Sequence, residues 1–113
     1  MSRAIGDRAE ARAAEYLQKK GYRVVARNWC CRGGELDLVC EHKGTLVFVE
    51  VRARKDDRHG AAVETVRDLK RRRLIHAAQQ YLVKHALDDR PCRFDVVAVT
   101  GEAVEHYEDA FTA

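Results

Sequence analysis

Asp37 and Glu50 are the side chains best placed to do chemistry in this chain. They lie in two alternating segments, 35–41 (ELDLVCE) and 45–53 (TLVFVEVRA), with Lys43-Gly44 between them. Glycine supplies the positive φ that a two-residue hairpin loop requires. That loop sets a register with Asp37 directly opposite Glu50, Glu35 opposite Arg52, and Val39 facing Phe48 on the same side. The other face pairs Leu36 with Val51, Leu38 with Val49 and Cys40 with Val47, and is wholly apolar. A one-residue slip would bury a carboxylate among those side chains, so the pattern selects this register or one shifted by two. Like charges facing each other across a sheet are destabilising. Three arrangements relieve them. A divalent metal could sit between them, and hard oxygen ligands suit Mg²⁺ or Mn²⁺. One carboxyl could keep its proton with a raised pKa. Both could be solvated and bridged by Arg52 or another base. Arg52 shares a face with Glu50, two residues on. Metal-bound carboxylates beside a fixed cation suit phosphoryl transfer: the metal binds phosphate and acidifies a water, and the cation stabilises the charge that develops.

The elements that must position these groups follow from periodicity. Ile5, Ala9, Ala13, Tyr16 and Leu17 recur at helical spacing and predict a helix over 3–20, with Ser2 as a cap and Gly21 just past its end. Tyr22, Val24 and Val25 predict a strand over 22–29, followed by a turn at CRGG. After the hairpin, 54–62 reads as a polar loop. Residues 66–86 read as a second helix with Val66, Leu69, Leu74, Ala78, Tyr81 and Leu82 on its inner face. DDRP at 88–91 breaks the pattern, and 93–100 (RFDVVAVT) is a strand. Residues 103–107 read as a short edge strand and 108–113 as a tail, so the core spans about 3–100 of a single domain over 1–113.

The 113 residues are 46% apolar and 35% charged, a globular rather than disordered composition. No apolar run is long enough for a membrane span, and MSRAIGDRAEARAAEY has no apolar core of a secretory signal. A cytoplasmic protein with no membrane partner is therefore expected. Cys30, Cys31, Cys40 and Cys92 show no disulfide framework, and Cys30, Cys31, Cys40 and His42 lack zinc-site spacing, so no zinc is expected. The net charge of +3 is unevenly distributed: +5 over 1–34, −3 over 35–51, +5 over 52–73 and −4 over 74–113. Two basic blocks flank an acidic centre, which suits a polyanion and a cation together.

Asp37, a hairpin, then Glu50-Val51-Arg52 resembles the D…(D/E)xK core of the PD-(D/E)xK nuclease superfamily. The chain looks more narrowly like the YraN family of small uncharacterised bacterial proteins, likened to Holliday-junction resolvases. The matching pieces are Gly6 with Ala9-Glu10, Gly21-Tyr22, Arg27-Asn28, Gly34-Glu35-Leu36-Asp37-Leu38-Val39, Leu46 to Arg52, and Arg54. They continue through Gly60, Val66, Lys70, Arg73-Leu74, Ala78, Tyr81-Leu82 and Arg93-Phe94-Asp95-Val96-Val97, covering residues 6–99. The resemblance implies a restriction-endonuclease-like α/β fold, an α-β-β-β-α-β core with a central mixed sheet between helices. It implies a metal-dependent nuclease that hydrolyses phosphodiester bonds in DNA, branched DNA being one candidate substrate. Asp37 and Glu50 would be ligands to Mg²⁺ or Mn²⁺, the Val51 carbonyl would complete the inner set, and Glu10 would assist. By analogy the resemblance also allows a homodimer. The superfamily's lysine is Arg52 here. An arginine stays protonated and cannot act as a general base, though it can hold a phosphate oxygen. Position 77 is Ala where some relatives of this superfamily carry a helper glutamine.

Around the acidic pair, Arg27, Arg32, Arg54, Lys55, Arg58, Lys70 and Arg71 are expected to track a phosphate backbone. The Lys70-Arg71-Arg72-Arg73 run spreads over most of the helix surface, so its members cannot all meet one partner. Glu35 is expected to support the pair. Asp95 points opposite to Phe94 and Val96 and should bind an arginine or backbone N–H groups. Trp29 and Tyr81 read as core, and His59, beside Gly60, is the histidine nearest the site in sequence. Two rival functions use the same features: a catalytically silent nucleic-acid-binding module of this fold, and a protein-interaction domain whose acidic hairpin meets a basic partner.

Overall fold

The strands over 45–53 and 92–100 pair in parallel, and parallel neighbours need a long crossover rather than a tight turn. In the computed structural model, which describes residues 3–54, 68–87 and 89–112, a helix lies on that crossover. Helix α1 (Arg3–Lys19) leads into strands β1 (Arg23–Cys31), β2 (Gly34–His42) and β3 (Thr45–Ala53). Helix α2 (Asp68–Lys84) and strands β4 (Cys92–Thr100) and β5 (Ala103–Phe111) follow. The sheet order is β1-β2-β3-β4-β5, antiparallel except between β3 and β4. The protein is thus a single α/β domain with a central mixed sheet flanked by two helices, as expected. Ser2, Lys55, Arg58, His59, Gly60 and Val66 lie outside the described residues. Among the described residues no helix is long and apolar enough to cross a membrane.

Strand alternation divides the core between the two faces of the sheet. Ala9, Ala13, Ala14 and Leu17 of α1 pack on Leu38, Val47, Val49, Val51, Val97 and Val99. Leu74, Ala77, Ala78 and Tyr81 of α2 pack on Val39, Phe48, Phe94, Val96 and Ala98. The small side chains of α1 let it lie close to the strands. Gly34 does the same for α2: a Cβ there would lie 2.4 Å from the Arg73 carbonyl oxygen. The helix backbone therefore rests directly on the start of β2.

The hairpin forms in the expected register, His42 opposite Thr45, Cys40 opposite Val47 and Leu38 opposite Val49. Lys43 and Gly44 both take positive φ (50° and 82°), as a two-residue loop of this twist demands. Three expectations need correction. Leu36 does not join Leu38 and Cys40 but packs with Phe48 and Leu74 on the α2 side. The β2–β3 ladder ends at Leu38–Val49, and beyond it the alternation no longer binds the two strands. Leu69 is not on the inner face of α2; it is 60% exposed, because five residues of helix turn it away from Leu74. The expected tail over 108–113 is strand as far as Phe111, whose ring stacks on Phe94 at 4.9 Å and is buried. A register shift between Phe94 and Val96 lets β5 bulge, and Asp109 takes φ 50° there. The bulge breaks the alternation that would otherwise have revealed a long strand.

Candidate metal and phosphate site

The ladder between β2 and β3 stops one residue before Asp37. In that register the next rung would join Leu36 to Val51. Instead the Val51 N–H donates to Asp37 Oδ2 at 2.9 Å. A carboxylate has replaced a backbone carbonyl as acceptor, so the strands part and their edges open on the α2 side. A residue in an antiparallel ladder turns its N–H and C=O toward the same neighbour. The Val51 carbonyl therefore faces the same gap.

Glu50 projects from β3 beside Asp37 and is only 6% exposed. Burial, and next the negative charge of Glu50, push the Asp37 carboxyl up to about 7. Lys70, reaching in from the first turn of α2, places Nζ 3.0 Å from Glu50 Oε1. Arg52 and Arg73 line the same cleft, whose volume is ≈ 850 Å³ and which is open to solvent. Glu35 lies at its rim, where it accepts from the Cys30 thiol at 3.5 Å.

Glu10 comes near without joining. Burial and then the Asp37 charge hold its carboxyl above the ordinary glutamate range, while the Asn28 side chain hydrogen-bonds to it. Among the described residues no three His, Cys, Asp or Glu side chains converge closely enough to hold a metal. The oxygen atoms that could hold a cation there are those of the two carboxylates, Asp37 and Glu50, with the Val51 carbonyl beside them. That set fits a hydrated Mg²⁺ or Mn²⁺, which keeps several waters and takes one or two carboxylates together with substrate phosphate.

The basic residues expected to form one track are divided among different places. Arg27 is exposed on β1 and Arg32 is exposed in the β1–β2 turn. Arg54 lines a different cavity, ≈ 480 Å³, between α1 and the ends of β3 and β4, and its guanidinium meets Glu105 at 3.2 Å. Arg71 lies 5.4 Å above the Phe111 ring. Asp95 finds the kind of partners foreseen, Arg93 at 3.0 Å and the Asp109 N–H at 2.9 Å, together with His106 at 2.7 Å. It shares its face with Val97 and Val99 on the α1 side, opposite to Glu50, so it does not support the carboxylate pair.

Lys70 is the site residue whose role was missed. It is expected from the sequence to meet a phosphate backbone, yet it meets Glu50: 70, 74, 77, 78 and 81 share one helical stripe, and the last four are buried. The spacing from Leu74 already turned Lys70 inward.

The model of the uncharacterised protein family UPF0102 matches residues 9–99. A UPF0102 protein of Ralstonia pickettii is 48% identical over 112 residues, covering 96% of this chain and 90% of the relative. One from Burkholderia ambifaria is 50% identical, covering 99% and 79%. One from Pelotomaculum thermopropionicum is 46% identical, covering 95% and 94%.

Proposed function

The chain belongs to the uncharacterised protein family UPF0102, and from that premise and the cleft on β2 and β3 we propose that it is a metal-dependent, cytoplasmic DNA nuclease. The observation that carries this reading is the pairing of Asp37 with the buried Glu50 in an open cleft that also holds Arg52, Lys70 and Arg73. Two facing carboxylates are costly to keep; Lys70 offsets part of that cost at Glu50, and a divalent cation between the pair would offset the rest.

When bound, Mg²⁺ or Mn²⁺ would polarise the scissile phosphate and acidify an attacking water. The chain's own residues do the rest. Asp37 and Glu50 would hold the cation, with the Val51 carbonyl beside them. Arg52 would hold a phosphate oxygen and stabilise the charge gained in the transition state. Arg73 and Lys70 bind neighbouring phosphates at the α2 side. Glu10 would assist by accepting a hydrogen bond from a water in the cleft. A symmetric branched substrate would be recognised by two copies acting together.

Calorimetric titration of Mn²⁺ into the protein tests the site without a guess at the substrate. Saturable binding by the wild type and its loss in Asp37→Asn is the expected result. Wild-type binding that survives in Asp37→Asn would show the site is misplaced. A panel of single-stranded, duplex, flap and branched DNA then tests turnover. Arg52 favours a second reading, a binding module without turnover. That reading requires salt-dependent DNA binding that persists in Asp37→Asn, with no cleavage at any Mg²⁺ concentration.

A further inference from the structure

Glu50 has its cation already. The Lys70 ammonium lies 3.0 Å from Oε1 of a carboxylate whose side chain is 7% exposed. An ammonium and a divalent cation compete for such an oxygen, because each needs its charge and its lone pair. Lys70 itself is 41% exposed at the side chain and stands in the first turn of α2, so its flexible stem can turn outward into the cleft. Arg52 and Arg73 line that same cleft, and a phosphate seated between them comes within reach of Lys70.

We propose that Lys70 is a displaceable counter-ion that couples the two ligands of this cleft: it holds Glu50 until a phosphate of the substrate draws it off. The inference rests on the reading of Asp37 and Glu50 as cation ligands. Its consequence is positive cooperativity. A phosphodiester that engages Lys70 frees Glu50 for the metal, and a metal on Glu50 releases Lys70 to the phosphodiester. The two effects are equal by linkage. Without substrate the carboxylate pair stays neutralised and the metal stays weakly held.

The test is Mn²⁺ affinity of the full chain at pH 8.5, measured for wild type, Lys70→Gln and Lys70→Met. Each is titrated alone and with a saturating phosphorothioate DNA duplex, and Asp37→Asn provides the background. Both Lys70 variants should bind Mn²⁺ about five- to tenfold more tightly than wild type without duplex. The duplex should tighten wild-type binding by a similar factor and leave the variants nearly unchanged. Equal or weaker Mn²⁺ binding by folded Lys70 variants, with binding still lost in Asp37→Asn, overturns the coupling and leaves the metal site standing. Binding that survives in Asp37→Asn, or no binding by any form with or without duplex, overturns both. The Met variant keeps most of the aliphatic stem, and thermal melts identify any variant that is unfolded.

Discussion

At Asp37 two opposing demands meet on one carboxyl. It accepts the Val51 N–H that a backbone carbonyl would otherwise take, and it is partly buried beside the charge of Glu50. Burial and that neighbouring charge raise its folded pKa to about 7, well above the unfolded value. The folded state therefore binds more protons than the unfolded state between about pH 4 and 7. Stability contributed by the protonated form is present below the unfolded pKa and is lost as pH rises through the folded pKa. Asp37→Asn, which keeps an acceptor for Val51 but carries no charge, should raise the metal-free melting temperature at pH 8 by about 5 °C. The gain should shrink to nothing near pH 4, as thermal melts across that range will show. Asp95 runs the other way. Burial pushes its carboxyl up, but hydrogen bonds from His106, Arg93 and the Asp109 N–H outweigh burial and hold it below the ordinary range. Its stabilisation is present above the unfolded pKa and is lost as pH falls through the folded one.

At the scale of elements, the cleft depends on how closely α2 approaches β2. An added Cβ at Gly34 would meet the Arg73 carbonyl at 2.4 Å and the Ala77 Cβ at 3.2 Å. Backbone cannot yield there without moving the helix. Gly34→Ala should cost about 2 kcal/mol in urea unfolding. It should also shift the start of α2, and with it Lys70, so that Mn²⁺ affinity changes although no ligand has been altered. Strand β5 matters at the same scale. Phe111 is 7% exposed and closes the α2-side core against Phe94. Phe111→Ala should cost about 3 kcal/mol, measured in the same way. A dispensable tail would give no change.

For the whole molecule, the net charge of +3 conceals a field with structure. The cleft gathers Arg52, Lys70 and Arg73 around an acidic centre, whereas Arg54 and Arg71 are engaged elsewhere by Glu105 and Phe111. Among the described residues, Arg52, Lys70 and Arg73 are thus the cations that a phosphate backbone lying in this cleft would meet. Duplex affinity measured against salt should give a log–log slope of about −3, as for three or four phosphates neutralised. A slope of about −8 would mean that the whole basic run of 52–73 faces the DNA. Lys70→Gln should reduce the slope by about 1.

The alternation of ELDLVCE and TLVFVEVRA, with Lys43-Gly44 between them, was enough to fix the hairpin and its register, because a slip would bury charge. The 3.6-residue spacing of Ala9, Ala13 and Leu17, and of Leu74, Ala78 and Tyr81, was enough for the two helices and the faces they cover. The Asp37–Glu50 juxtaposition followed from those local rules. Three features did not. The end of the ladder at Leu38 depends on which group accepts the Val51 N–H, and backbone and side chain compete for it only in three dimensions. The length of β5 depends on a bulge held by Asp95, a contact 14 residues away in sequence. Lys70 was recognisable as inward-facing from its helical spacing, but that it meets Glu50 is decided by Gly34, which sets the distance between helix and sheet. Periodicity determines which face a side chain takes; close packing between elements determines what it touches there.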